Sequence, residues 1–318
     1  MTVQDVADRA VELTRMRVPY VHARVVLAQR PTSAKPGDQA LVLPDGSMEG
    51  FVGGDCAEST VRAQSLALLD SGDSLLLRIT PEPESEPAEA VAGTLSVHNP
   101  CLSGGTLEIF LEPRRPAPLV VVEGDTPIAR ALLAIGRALG YELVRHSGSL
   151  PDDVAAVVVA SHGRDEADVL RAAVAARVPY IGLVASRKRG SAVVAALDLA
   201  EQPVLPQPGT QLASPGRSAI HTPAGLDIGA RTPEEIALSI LADIVARRPR
   251  PTGRTALADP SAGQDERHPP VALEAVDPVC GMTVAAVDSS LHLDHDGTRY
   301  YFCGSGCLRA FAADPSRT

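Results

Sequence analysis

The chain has 318 residues, room for two or three domains, and its 45% of apolar residues can build real cores. Aromatic residues make up only 3% and Trp is absent, so Ala, Val and Leu must do the packing. The net charge of −10 argues against a nucleic-acid partner and against an anionic membrane surface.

The first 16 residues read as one helix, with Val3, Val6, Ala10 and Leu13 on one side and no apolar signal-peptide core. Residues 20–29 are rich in β-branched side chains and read as a strand, and 30–37 as a loop. Segments 39–43 and 48–52 flank Pro44-Asp45-Gly46-Ser47, a hairpin turn. Gly53-Gly54-Asp55-Cys56-Ala57-Glu58 then opens a helix that runs to about Leu69, and 74–80 is a strand. Residues 81–92 are acidic and Pro-rich, a solvated loop. The run from Val97 to Gly105, which carries Cys101, leads into a strand over 106–111, and 112–116 is a domain boundary. Residues 1–113 are therefore expected to form an α+β domain.

A parallel α/β domain is predicted over 117–248. Residues 119–122 are the fully apolar run that a buried parallel strand requires. Gly124 breaks the run, and Thr126-Pro127 reads as an N-cap with Pro at the first helical position. Ile128, Leu132, Ile135 and Leu139 follow at helical spacing, Gly140 closes the helix, and 141–144 starts the next strand. This is the opening β-α-β of a Rossmann-like domain. Its phosphate fingerprint is incomplete: Thr126 replaces the second Gly, Asp125 puts a negative charge where an anion would sit, and the second strand ends in Arg145-His146 rather than an acidic residue. The third strand is 154–160, with Ser161-His162-Gly163 at its carboxyl end, where open α/β sheets bind ligands. A helix over 165–176, a strand over 180–184 and a helix opened by Ser186-Arg187-Lys188-Arg189 come next. A Gly-rich loop over 220–231 precedes the capping box Thr232-Pro233-Glu234-Glu235 and a last helix with Ile236, Ile240 and Ile244. Residues 249–276 lack periodicity and are read as a flexible linker to a small cysteine-bearing module, 277–318. No apolar run approaches the roughly 20 residues that span a bilayer. A cytoplasmic protein without membrane insertion is expected, and there five cysteines, an odd number, point to thiol or metal chemistry before disulfides.

Several groups of residues can carry chemistry. Cys56, after Gly53-Gly54, stands at a helix start, where the dipole and open N–H groups favour thiolate. Cys101 stands before a second pair, Gly104-Gly105; if the two loops meet they form a thiol-lined anion pocket, and otherwise they are buried cysteines beside turns. The loop carrying Asp227 and Gly229 precedes a capped helix, a ready anion site or simply a tight turn. Arg187 opens another helix, where it can grip a phosphate or simply be a solvated basic helix start. In the tail, about 40 residues bury too little surface to fold without a staple. Cys280, Cys303 and Cys307 can supply one as thiolate ligands of Cu(I) or Zn(II), with Met282, His292 and His295 as candidates for a fourth ligand.

The Gly53–Glu58 motif, the 101–113 segment, the Gly124 turn, Ser186-Arg187-Lys188-Arg189 and above all residues 226–240 resemble the XdhC/CoxI family, accessory proteins of xanthine dehydrogenase and carbon monoxide dehydrogenase. The resemblance covers about residues 15–248. It implies a dimeric chaperone rather than a catalyst, one that binds molybdenum cofactor (molybdopterin) transiently. Such a chaperone protects the cofactor while a cysteine desulfurase or other sulfur donor installs the terminal sulfur. It then inserts the cofactor into a molybdenum hydroxylase client. On that basis the cofactor-binding residues are Gly53, Gly54, Cys56, Cys101, Gly104, Gly105, Gly124, Arg187, Asp227 and Gly229. The tail, with Asp277-Pro278-Val279-Cys280-Gly281-Met282 and Tyr300-Tyr301-Phe302-Cys303-Gly304-Ser305-Gly306-Cys307, is similar to YHS domains attached to heavy-metal transporters, and implies copper or zinc at Cys280, Cys303 and Cys307. Two other readings stay open: an NAD(P)-dependent oxidoreductase with a zinc-stabilised tail, and a heavy-metal binding or sensing protein on an α/β scaffold.

Overall fold

The computed structural model describes residues 2–81, 92–98, 105–163, 166–197, 220–248 and 274–315. It divides into two compact units, Met1–Pro116 together with Pro251–Thr318, and Ala117–Arg250. Among the described residues no helix is long and apolar enough to cross a membrane.

The first unit begins with helix α1 (Val3–Arg15), closed at its start by a capping box between Thr2 and Asp5. Strand β1 (Tyr20–Ala28) follows, then the hairpin β2 (Gln39–Val42) and β3 (Met48–Gly50), helix α2 (Asp55–Ser71), and strands β4 (Leu75–Thr80), β5 (Thr94–His98) and β6 (Leu107–Arg114). They form one mixed sheet in the order β3-β2-β1-β6-β4-β5. Strand β5 lies within the segment expected only to lead into the next strand, and it pairs in parallel with β4 at the sheet edge. Its residues are only partly covered, so it lacks the apolar run or clean alternation by which strands announce themselves. The inner face of the sheet, with Val21, Ala23, Val25, Ile109 and Leu111, packs under Ala57, Val61 and Leu68 of α2.

The second unit is doubly wound. Its elements are β7 (Leu119–Glu123), α3 (Pro127–Ala138), β8 (Glu142–Arg145), β9 (Val154–Val159), α4 (Glu166–Ala175), β10 (Tyr180–Leu183), α5 (Arg187–Ala196), β11 (Ile220–His221) and α6 (Pro233–Arg247). The strands lie parallel in the order β11-β10-β9-β7-β8. The first strand of the unit thus sits between the second and third, the 2-1-3-4-5 order of open α/β sheets whose ligands bind beyond the carboxyl strand ends. Helices α3 and α6 cover one face through Leu132, Ile240 and Leu241, and α4 covers the other through Val169 and Leu170. The expected caps are present: Thr126 accepts the amide of Ala129, and Thr232 with Glu235 completes a capping box.

The tail belongs to the first unit. It consists of β12 (Glu274–Val276), β13 (Thr283–Ala285), β14 (Leu291–His295), β15 (Thr298–Phe302) and α7 (Ser305–Ala313). The sequence reading placed Glu274–Val276 in the flexible linker; these residues instead form a strand antiparallel to β13. Residues 249–273 of that linker lie outside the described residues. Nor is the module separate. Ala285 and Val287 pack on Ala63, Leu66 and Leu69 of α2, and the Ser289 hydroxyl donates to the Asp45 carbonyl at 2.9 Å. Helix α2 is therefore held between the sheet and the tail.

Candidate metal centre and ligand cleft

The tail gathers four acidic donors. Asp277 lies just after β12, Cys280 in the turn before β13, Cys303 after β15, and Cys307 in the first turn of α7. Their ligand atoms all lie within 4.8 Å of one another. The Cys280 and Cys303 sulfurs are 3.5 Å apart and those of Cys303 and Cys307 3.7 Å apart, and none of these cysteines is in a disulfide. Thiolates at about 2.3 Å from a tetrahedral ion stand about 3.8 Å from each other, so the spacing suits one soft cation. Asp277, fully buried, is the group the sequence reading missed. Its Oδ1 accepts the amides of Val279 at 2.9 Å and Cys280 at 3.4 Å, and its Oδ2 accepts the amide of Cys303 at 2.8 Å. Burial opposes its ionisation, but these hydrogen bonds outweigh burial and hold the carboxyl below the usual range. The only signal in the sequence was an Asp before Pro at the start of Asp277-Pro278-Val279-Cys280, a turn-forming pattern.

The thiols themselves are pushed the other way. Cys303 is raised above the ordinary cysteine value by its hydrogen bond with Cys56, by burial and by Asp277. Cys307 is pushed up to about 12 by burial and by the neighbouring Asp277 carboxylate. Thiols packed this closely beside a carboxylate resist ionisation, and a cation bound among them would displace their protons. The two histidine candidates for a fourth ligand have other partners. His292 Nδ1 lies 2.8 Å from the Ser290 carbonyl, and its ring tilts against Tyr301. His295 meets Phe311 edge-on and lies 3.5 Å from Asp296. Met282 is buried and packs in the same cluster as Cys303.

The Gly53-Gly54-Asp55-Cys56 motif meets this cluster. Gly54 is the N-cap of α2, which puts Asp55 and Cys56 in the helix's first turn. Cys56 packs against the buried cluster of Met282, Val284 and Cys303, as do Cys280 and Cys307. Its sulfur lies 3.5 Å from where a Cβ on Gly304 would stand. Gly105 sits so close to the backbone of Gln29 and Pro31 that a Cβ there would come within 2.4 Å of both carbonyl oxygens. Cys101 and Gly104 lie outside the described residues.

The second unit carries a cleft of about 690 Å³ beyond the carboxyl ends of β9 and β10. Arg187, Ser186 and Arg189 from the start of α5 line it, together with His162 and the loop from Pro223 to Ala230, which contributes Asp227. Ser186 caps α5 by accepting the Arg189 amide, so the helix presents its positive end here. Gly229, exposed in the same loop with φ +75°, lies between two lining residues. Leu226 and Ile228, both largely exposed, add an apolar wall. Under the cleft the buried Glu166 pairs with Arg189 and accepts the Gly163 amide at 2.6 Å and the Ser161 hydroxyl at 3.1 Å. Burial works against its ionisation, but Arg189 and these donors prevail and hold the carboxyl below its usual range. The sequence reading took Glu166 only as part of a helix. Its role depends on Arg189, 23 residues away, and no local pattern signals that.

The Gly124 turn is satisfied by its own neighbours. Arg145 donates to the Gly124 carbonyl at 3.0 Å and to Asp125 at 2.9 Å, and His146 Nδ1 lies 2.9 Å from Glu123. The basic pair Arg145-His146 at the end of the second strand thus answers the acidic residues of the turn. Gly124 itself has φ +106°, and a Cβ there would lie 2.4 Å from the Ala160 carbonyl oxygen.

Three protein-family models match the chain: the XdhC and CoxI family over residues 13–80, the XdhC Rossmann domain over 120–244, and the YHS domain over 275–317. Among curated proteins, the chain is 24% identical over 272 residues to the protein YqeB of Escherichia coli (strain K12), an alignment covering 76% of this chain and 46% of that protein. The chain therefore spans about half the length of that relative. Among solved structures, a xanthine dehydrogenase from Bacillus halodurans is 14% identical, with 80% of this chain and 98% of that chain covered and a TM-score of 0.34.

Proposed function

We propose, on the premise that this chain belongs to the XdhC and CoxI family and ends in a YHS domain, that it is an accessory protein in the maturation of a molybdenum enzyme. In this reading it binds molybdenum cofactor, shields it while a cysteine desulfurase or other donor supplies the terminal sulfur, and hands it to a molybdenum hydroxylase. The working form is a homodimer. The tail holds a soft metal, copper or zinc. For a client such as carbon monoxide dehydrogenase, whose site joins molybdenum to copper through sulfur, one chain would bring both metals.

The observation that carries the reading is the cleft of the second unit. Its volume lies within the roughly 300–1,000 Å³ of small-molecule sites. The lining fits a phosphate-bearing pterin in chemical kind. The α5 amino end and Arg187 would hold the phosphate. Leu226 and Ile228 offer an apolar wall to a flat ring, and the Asp227 carboxylate can accept from ring N–H groups. The cofactor supplies the client's hydroxylation chemistry once delivered; this chain's residues bind it, orient it and keep water from it. The tail's three thiols fit a soft cation by donor type and spacing, with the Asp277 carboxylate beside them.

The test is maturation of a cofactor-free client with the full chain, the Arg187→Glu variant and a chain ending at residue 276. The reading expects active client with the full chain and little with Arg187→Glu. With the shortened chain it expects molybdenum in the client but depleted copper. Equal activation with and without the full chain would overturn it, and unchanged client copper on truncation would remove the delivery role of the tail.

A further inference from the structure

Helices α2 and α7 meet at their first turns. Asp55 Oδ2 of α2 accepts the amide of Ser305, the first residue of α7, at 3.1 Å. The next residue, Cys56, is thereby set against Cys303 and Gly304. Cys56 packs against the buried cluster that holds Cys303, and its sulfur stands beside Gly304, so it lies at the edge of the donor cluster. Cys56 lies in the first turn of α2 and Cys307 in the first turn of α7, so two helix amino ends meet at this group of sulfurs. The carboxylate of Asp277 is already committed to three backbone amides, which suits it to holding the cysteine loops in place.

We infer that Cys56 completes the metal site of the tail, so that one soft d¹⁰ cation is bound by Cys280, Cys303 and Cys307 of the module and by Cys56 of the first segment's α2. The fourth sulfur comes from the motif that the family resemblance assigns to cofactor handling. The site is therefore composite, and a cation bound there ties the tail to α2. Each thiol that ligates gives up its proton to solvent; no electron is transferred. Because Cys56 lies outside the compact set of four, it is the exchangeable ligand: it can leave the ion while Cys280, Cys303 and Cys307 keep it, which exposes an open position for transfer. The inference rests on the tail holding a soft metal and is independent of any cofactor in the second unit.

The experiment loads the full-length chain anaerobically with Zn(II), and separately with Cu(I). It reads the number of sulfur neighbours by X-ray absorption and the affinity by chelator competition. The variants are Cys56→Ser, Cys56→His and the Cys280/Cys303/Cys307→Ser triple. The inference expects four sulfurs in the native chain with Zn(II), and three in Cys56→Ser with affinity reduced at least about tenfold. It expects three sulfurs and one nitrogen in Cys56→His, which guards against a folding defect of the serine variant. Loss of binding in the triple variant, with Cys56→Ser matching the native chain in sulfur number and affinity, would overturn the role of Cys56 and leave the tail's metal site standing. Native-like binding in the triple variant would overturn the metal site itself.

Discussion

Asp55 Oδ2 and the amide nitrogen of Ser305 lie 3.1 Å apart, 250 residues apart in the chain. Helix α7 has Gly304 as its N-cap and so lacks a side-chain cap of its own; a carboxylate from α2 does that work. The Ser305 amide in turn holds the Asp55 carboxyl below the usual range. Replacing Asp55 by Ala should therefore weaken the docking of the tail more than the fold of the sheet. The cost is about 0.5–1 kcal/mol, at the low end for a cap because the carboxylate is exposed. Hydrogen exchange should quicken at Ser305 and through α7, with β1 and β6 unchanged.

The Glu166–Arg189 pair supports the floor of the cleft. Glu166→Ala leaves Arg189, the Gly163 amide and the Ser161 hydroxyl without their partner, at a cost of roughly 1–3 kcal/mol by thermal or denaturant unfolding. The pH dependence has a fixed sign. The folded carboxyl is depressed, so its contribution is present above the unfolded value of about 4.3 and is lost as the pH falls through the lowered folded value. Native protein should lose stability over that acid range more steeply than the Glu166→Ala variant.

Gly124→Ala tests the turn after β7. The added Cβ would meet the Ala160 carbonyl at 2.4 Å, at a backbone angle that L-residues avoid. A loss of roughly 1–3 kcal/mol is expected. Because Arg145 and His146 already answer the acidic residues of this turn, NADH and NADPH should not bind the native chain at millimolar concentration, as titration calorimetry would show.

Metal removal should act locally. A tail of about 40 residues depends on its staple, so stripping the cation or replacing its three cysteines should expose 274–315 to proteolysis. The parallel sheet of Ala117–Arg250, which has its own cores, should keep its hydrogen-exchange protection.

Much of the second unit was legible in the sequence because its signals are local. Thr126-Pro127 and Thr232-Pro233 cap their helices as read, and the apolar runs 119–122 and 154–159 became buried parallel strands. What escaped depends on distant partners. Strand β5 owes its pairing to β4 rather than to its own pattern. Helix α2 carries apolar residues on two sides, Val61 and Leu68 toward the sheet and Ala63 and Leu66 toward the tail, and only the docked tail explains the second set. The three tail cysteines were visible by residue type, whereas Asp277 and the approach of Cys56 follow from how β12 and α7 fold back.

The central claim, that this chain holds molybdenum cofactor, is tested most directly by supplying the cofactor to the chain without oxygen, removing excess, and measuring retained pterin by the fluorescence of its oxidised product. The native chain and the Cys280/Cys303/Cys307→Ser variant should retain pterin stoichiometrically, and Arg187→Glu should lose it. A native chain that retains no pterin would contradict it.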